Sequence, residues 1–303
     1  MNKKIILISG ASGLVGSELS TLFSEQGFEV RRLSSNKRWV KSNQDAFYWN
    51  VGQNYIDPNA LKDVDFLINL SGASIADGLW TKKRKKIIHE SRIDGTKLLF
   101  ESFQKQEIKL STYFGASAVG YYGSGRQGDL FDENSPKGFG FLSDVCDLWE
   151  LQHNNFKDIS EKVVIGRVSN VISSKGGFLL PFMKLSGFGL KLMMGNQQCY
   201  CSWIHIEDLI RIISGIENIG LNGTYNLCAG HSDWNEFQNE FYKQAGHQLI
   251  KLTIPTSLLK FLMGEMSSLI IDGNRVTGEK VVQSGFEFKY SSLSKTFNNI
   301  NFN

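Results

Sequence analysis

The chain has 303 residues, 41% of them hydrophobic and 21% charged, a globular composition with enough length for a large core. Its 33 basic and 30 acidic residues leave a net charge of +3, so no nucleic-acid or membrane surface is expected. Only 4 prolines occur, and no Pro- or Ser-rich linker stands out, which favours one compact body.

Through the first half, apolar runs alternate with amphipathic stretches. Residues 5–8 read as a buried strand. Val15, Leu19, Leu22 and Phe23 then recur at helical spacing until Gly27 stops the helix. Residues 28–33, 47–49 and 66–70 read as three more strands, the last bounded by Asp65 and Gly72. The basic run Lys82-Lys83-Arg84-Lys85-Lys86 reads as a solvated helix face, with a phosphate-binding contribution as the alternative and Ile87 and Ile88 placed to turn toward a core. Ile93, Thr96, Phe100 and Phe103 mark a further helix face. Residues 113–116 and 163–168 read as the fifth and sixth strands, with a helix over 143–156 between them.

Apolar strands alternating with helices imply an α/β protein with a doubly wound, mostly parallel sheet covered on both faces. The expected organisation is a doubly wound, Rossmann-type domain at 1–175, with seven strands in the sheet. A small C-terminal α/β substrate lobe follows at 176–303. The change of rhythm is marked by Gly176, Gly177, Gly187, Gly189 and Gly195. Residues 202–205 and 224–227 are the candidates to return to the sheet.

The run Gly10-Ala11-Ser12-Gly13-Leu14-Val15-Gly16 follows the first strand and opens the first helix. In that context it reads as a phosphate cradle: glycines allow the turn and the close approach of a pyrophosphate, and the helix start offers N–H groups. The end of the second strand has no acid to hold a ribose 2′-hydroxyl. Arg31, Arg32, Ser34, Ser35, Lys37 and Arg38 stand there instead, which favours a 2′-phosphate and hence NADP(H) over NAD.

Cys146, Cys199, Cys201 and Cys228 form no Cys-x-x-Cys pair and have no His at ligand spacing, so free buried thiols are expected and no metal. His205, Glu207 and Asp208 lack a second His and read as a loop-fixing network, with His205 and Glu207 sharing a strand face. Trp80, Trp149 and Trp203 read as core or pocket wall. The run at 5–8 is too short for a signal-peptide core, and no apolar stretch reaches membrane-spanning length, so a cytoplasmic protein is expected.

Several segments together resemble the extended short-chain dehydrogenase/reductases: the glycine turn, Asn69-Leu70-Ser71-Gly72-Ala73, and Ala116-Ser117-Ala118-Val119-Gly120-Tyr121-Tyr122-Gly123. Arg167-Val168-Ser169-Asn170 and Leu180-Pro181-Phe182 are similar to segments facing the sugar nucleotide in that superfamily's epimerases. Trp80-Thr81, Ser91-Arg92, Phe141-Leu142, Trp149-Glu150, residues 202–208, Gly273-Asn274-Arg275-Val276 and Gly285-Phe286 resemble an atypical subgroup labelled nucleoside-diphosphate-sugar epimerases.

The resemblance implies cofactor contacts from Gly10, Ser12, Gly13, Leu14, Val15, Gly16, Arg32, Ser34, Ser35, Lys37, Asn50, Val51, Leu70, Ser71, Gly72, Ala73, Ala116 and Val168. It implies substrate contacts from Arg167, Asn170, Leu180 and Arg275. Ser117 matches the serine that hydrogen-bonds the reacting oxygen. The superfamily's Tyr-x-x-x-Lys pair is absent: the matching stretch is Phe141-Leu142-Ser143-Asp144-Val145-Cys146. That removes the usual proton donor and the cation that tunes it. Tyr121 and Tyr122 are candidates to replace the acid, or to wall the pocket. Leu79 and Ser35 also stand where the subgroup often carries Arg. The implied function is an NADP(H)-dependent epimerase or oxidoreductase acting on a small polar substrate such as a nucleotide sugar. A non-catalytic NADPH-binding sensor or scaffold is the alternative. A homodimer is implied by the superfamily's habit.

Overall fold

The computed structural model describes residues 3–123, 129–194, 199–245 and 250–302. Gly195, counted in the glycine cluster above, lies outside the described residues.

In chain order the strands are β1 (Ile5–Ser9), β2 (Glu29–Ser34), β3 (Ala46–Asn50), β4 (Tyr55–Ile56), β5 (Phe66–Asn69), β6 (Leu110–Ala118), β7 (Leu130–Phe131) and β8 (Ser160–Val168). They continue as β9 (Asn170–Ile172), β10 (Leu190–Met194), β11 (Tyr200–His205), β12 (Gly223–Leu227), β13 (Gly230–Asp233), β14 (Ile250–Ile254) and β15 (Arg275–Val276). The main helices of the first half are α1 (Leu14–Glu25), α2 (Lys37–Lys41), α3 (Lys82–Lys105) and α4 (Phe141–Asn154).

The large sheet has eight strands in the order β12-β8-β6-β5-β1-β2-β3-β4. That is one more strand than the seven expected, because the two-residue β4 adds antiparallel to β3 at the edge. The pairs β1–β2, β1–β5, β5–β6 and β2–β3 are all parallel. Every residue of β1 and β5 is buried, as a sheet covered on both faces demands. Residues 224–227 do return to this sheet, within β12. Residues 202–205 do not. Within β11 they pair antiparallel with β13 and parallel with β9 in a separate three-stranded sheet. A strand-like stretch does not name its partner strand, so the pattern could not choose between the two sheets.

The chain divides into two compact units. Unit 1 comprises Met1–Ser117, Asp144–Gly166 and Ile210–Thr224; unit 2 comprises Ala118–Ser143, Arg167–Leu209 and Tyr225–Asn303. The expected boundary at 175/176 falls inside the second of unit 2's segments, since the chain passes between the units more than once. Unit 1 is built around Leu7, Trp49, Leu67, Leu99, Phe103 and Ile165, with Tyr113 stacked on Phe156 at 3.6 Å. Unit 2 has an aromatic core of Phe182, Trp203, Trp234, Phe237, Phe241 and Phe297. Trp80 and Trp149 are buried as well. Of the two isoleucines after the basic run, Ile88 is buried but Ile87 stays exposed.

A chain of buried polar groups crosses unit 1. The Asn69 side-chain oxygen accepts from Ser9 Oγ and Ser71 Oγ, both at 2.7 Å, and its amide donates to Thr96 Oγ1 at 2.9 Å and Tyr113 Oη at 3.3 Å. Trp149 Nε1 donates to the same Thr96 hydroxyl at 2.9 Å. His153 completes the chain, with Nε2 3.0 Å from the Ala116 carbonyl and Nδ1 2.6 Å from Tyr113 Oη. A carbonyl only accepts, so Nε2 carries the proton and Tyr113 donates to a bare Nδ1. Burial pushes the His153 pKa from 6.5 down to about 3 and raises that of Tyr113, so the whole chain is neutral.

The folded state refuses a proton that an unfolded histidine takes up below about pH 6.5. Stability from this group is therefore complete above that pH and is lost as pH falls toward about 3. His205 and His231, also lowered by burial, act with the same sign. The melting temperature should fall measurably between about pH 7.5 and about pH 5. A His153→Gln protein, whose amide can still donate to the Ala116 carbonyl, should show a shallower fall; an equal slope would refute the assignment.

Candidate functional site

The predicted cofactor residues up to Ser117 lie in unit 1, with the glycine turn at their centre. Gly10 has φ +72°, and a Cβ there would lie 2.7 Å from the Leu70 carbonyl oxygen. A Cβ on Gly16 would strike the Gly10 carbonyl, so α1 starts hard against the turn. Gly13 is the N-cap of α1, its N–H donating to the Gly10 carbonyl at 3.0 Å. No side chain caps this helix and no acid stands in its first turn. Ser12 and Gly13 are exposed, and Leu14 and Val15 half-buried. The first turn's N–H groups and its positive dipole end are thus available to an anion.

At the end of β2 the cations are held by aromatic faces. The Arg32 guanidinium lies 4.7 Å from the Trp39 ring centroid, and Lys37 Nζ 4.8 Å from that of Tyr48. Arg32 also pairs with Asp45 and donates to Asn43 Oδ1 at 3.1 Å. Asp45 was missed in the sequence; the parallel register Arg32↔Ala46 is what brings it alongside. Arg31 is turned to another task, donating to Glu29 at 2.8 Å and to the Lys62 carbonyl at 2.5 Å. Ser34 Oγ accepts from Asn36 N–H, and Ser35 is exposed. Asn50 caps the turn Val51–Gln53, accepting from Gln53 N–H at 3.0 Å.

The loop after β5 is gripped from α3. Ser91 Oγ accepts from Ala73 N–H at 2.9 Å, and Arg92 donates to the Ala73 carbonyl at 3.0 Å. The Arg92 guanidinium lies flat on Gly72, where a Cβ would sit 2.9 Å from its central carbon. Ser71 N–H donates to Asn69 Oδ1 at 3.2 Å, and Leu70 N–H to the Ser9 carbonyl at 3.1 Å. Backbone along Leu70–Ala73 is therefore fixed beside the glycine turn. At the end of β6, Ala116 is half-buried and Ser117 buried. Ser117 Oγ donates to Glu150 Oε1 on α4 at 2.6 Å, and Glu150 is buried too. The pair is 33 residues apart in sequence. The Trp149-Glu150 motif was the one signal of it, without a role attached.

The remaining predicted residues lie in unit 2. Tyr122 is fully buried: its hydroxyl lies 2.7 Å from Asn226 Oδ1 and 2.9 Å from the Asp132 carbonyl, and it accepts from Arg167 at 3.0 Å. Burial pushes its pKa up to about 12. A hydroxyl so committed is a structural group, not a ready acid. Tyr121 is half-buried, its ring covered by the Arg167 guanidinium at 3.5 Å from the centroid. Asn170 donates to the Ser202 carbonyl at 3.0 Å, tying β9 to β11. Arg275 donates to His231 Nε2 at 2.9 Å and lies 5.6 Å over Tyr200. Leu180 is exposed at the start of the helix Leu180–Gly187, and Val168 is half-buried at the end of β8.

The His205 region forms a latch. Asp208 accepts the N–H groups of Lys289 and Tyr290 at 3.0 and 2.9 Å, Glu207 takes Lys289 Nζ and Tyr290 Oη, and His205 packs on the Tyr290 ring at 3.8 Å. β11 ends at His205 and a helix begins at Ile206, so His205 and Glu207 do not share a strand face as expected. The four cysteines are buried and form no disulfide. Among the described residues no group of three His, Cys, Asp or Glu could hold a metal ion, and no helix is long and apolar enough to cross a membrane.

A model of the NAD-dependent epimerase/dehydratase family matches residues 6–228, and a model of a domain of unknown function matches residues 254–300. An epimerase family protein of Staphylococcus saprophyticus is 32% identical over 96% of this chain and 97% of its own length. The fold is similar to that of the human epimerase family protein SDR39U1 (isoform 2) with NADPH, with a TM-score of 0.83 and 22% identity over 97% of both chains. It is also similar to that of the UDP-glucose 4-epimerase of Thermus thermophilus in complex with NAD, with a TM-score of 0.75 and 15% identity over 97% of this chain and 98% of that one. With the glycine cradle in place and the family match running from β1 to the end of β12, this chain belongs to the NAD-dependent epimerase/dehydratase family.

Proposed function

We propose that the protein binds NADP(H) in unit 1 and acts as an epimerase or oxidoreductase on a small hydroxyl-bearing substrate such as a nucleotide sugar. The observation that carries this reading is the uncapped start of α1 behind the Gly10–Gly16 turn, beside a β2 end furnished with cations and no acid of its own. The residues present fit the cofactor. Gly10, Ser12, Gly13, Leu14, Val15 and Gly16 would take the pyrophosphate, and Arg32, Ser34, Ser35 and Lys37 the 2′-phosphate. Asn50, Val51, Leu70, Ser71, Gly72 and Ala73 would line the adenosine and central parts, with Ala116, Ser117 and Val168 toward the nicotinamide. Bound there, the nicotinamide would supply or accept hydride.

Trp39 and Tyr48 support the reading of the cations. An aromatic face holds a guanidinium or ammonium in place while leaving N–H edges for a phosphate. The NADPH in the human structure points the same way. Arg167, Asn170, Leu180 and Arg275 are the substrate contacts we assign in unit 2, and Tyr121 the acid or pocket wall. Taking 1–175 as the cofactor-binding part, with a substrate lobe after it, belongs to the same reading. So do a cytoplasmic location and a homodimer. A non-catalytic NADPH sensor is the second reading, favoured by the missing Tyr-x-x-x-Lys and the committed Tyr122 hydroxyl.

Tryptophan quenching and nicotinamide fluorescence should report NADPH binding in the micromolar range, with NADH weaker by roughly tenfold or more. Arg32→Ala with Lys37→Ala should close most of that gap by weakening NADPH alone. Binding of neither dinucleotide at millimolar levels, with none carried through purification, would end the proposal.

Gly10→Ala should weaken both dinucleotides together and cost about 1–3 kcal/mol in urea unfolding, because the left-handed turn and the Leu70 carbonyl leave a side chain no room. Unchanged affinity in that variant would dissociate the turn from binding.

A further inference from the structure

The Ser117–Glu150 pair carries an inference that rests on the dinucleotide reading above and goes beyond it. A serine hydroxyl has one proton and two lone pairs. Ser117 gives its proton to Glu150 Oε1 at 2.6 Å, and both residues are buried, at 3% and 7% exposure. Toward any ligand, Ser117 is thereby a hydrogen-bond acceptor with a carboxylate behind it. A serine meant to polarise a carbonyl oxygen would have to donate.

The pair's place in the sheet gives this consequence. Ser9, Asn69 and Gly115 stand in one line across β1, β5 and β6. The glycine turn follows Ser9, and Ser117 lies two residues past Gly115, so both sit at the same end of the sheet. Two strand spacings separate them, roughly 10 Å. The 2′-phosphate residues lie on the opposite side of β1, at the end of β2. A dinucleotide whose pyrophosphate rests on α1 and whose adenosine lies toward β2 extends its other half over β5 and β6.

We propose that Glu150 is a positioning residue that fixes Ser117 as an acceptor and places a carboxylate under the nicotinamide half of the site. The site then favours the oxidised, positively charged dinucleotide over the reduced one, and a hydroxyl-bearing co-ligand over a carbonyl-bearing one. The substrate class that follows is an alcohol bound through its O–H to Ser117 Oγ.

Calorimetric titration of NADP+ and NADPH into wild type, Glu150→Gln and Glu150→Asp tests this, after melting curves establish that each variant is folded. Wild type should bind NADP+ at least as tightly as NADPH. Glu150→Gln should lower the NADP+/NADPH affinity ratio about fivefold or more, chiefly by weakening NADP+. Glu150→Asp should restore most of that ratio. In the NADP+ complex, cyclohexanol should be retained better than cyclohexanone by ligand-observed NMR, and Ser117→Ala should erase the difference.

An unchanged ratio in folded Glu150→Gln, or stronger retention of cyclohexanone, would overturn the proposal. A tenfold wild-type preference for NADPH would do so without any variant, which keeps the test decisive where Glu150→Gln fails to fold. These failures leave dinucleotide binding intact and so are distinct from failure of the functional reading. Wild type that binds neither dinucleotide would overturn both.

Discussion

The arrangement of unit 1 depends on the Asn69 side chain. Its oxygen gathers the hydroxyls of Ser9 and Ser71 and the Ser71 N–H, and its amide reaches Thr96 and Tyr113. β1, β5, β6, α3 and the loop after β5 are thereby indexed to one buried group. A partly satisfied polar network in such a place would cost more than an apolar core. This one runs unbroken from Ser9 through Asn69 and Tyr113 to His153 and the Ala116 carbonyl. The loop after β5 and the end of β6, both assigned to the cofactor in the proposal above, are set by the same bonds that close the core.

The glycines complete that constraint sterically. Gly10 lets the turn approach the Leu70 carbonyl, Gly72 lets the Arg92 guanidinium lie flat, and Gly115 leaves room for the His153 ring. Each is a place where a β-carbon would push apart two groups that the polar network draws together. The open start of α1 is thus presented by a rigid surround, which lowers the ordering cost of binding an anion there.

How much of this was legible in the sequence follows from range. The glycine turn, the buried strands and the absence of an acid at the end of β2 are local, and periodicity or residue type reports them directly. Long-range partners are not local. Glu150 lies 33 residues from Ser117, Asn226 lies 104 from Tyr122, and Asp45 meets Arg32 only through a parallel register. For the same reason residues 202–205, in β11, read as a candidate for the large sheet. Tyr122 shows the consequence for chemistry: as residue type and position it suggested an acid, and only the fold discloses that its hydroxyl is spent.

Arg32 shows how the cation cluster and its acid can coexist. The guanidinium has five N–H donors in one plane. Its face rests on Trp39, and Nη2 serves Asn43 and Asp45. Asp45 is itself part-exposed, so its ion pair with Arg32 is screened and weak. A dianionic phosphate offers a stronger, charge-assisted partner for the donors that remain, without the guanidinium leaving the ring. In that reading Asp45 would brace the plane of Arg32 and temper its attraction for anions in general. On the functional reading proposed above, selectivity for a phosphate carried on a ribose would come from the Ser34 and Ser35 hydroxyls and Lys37.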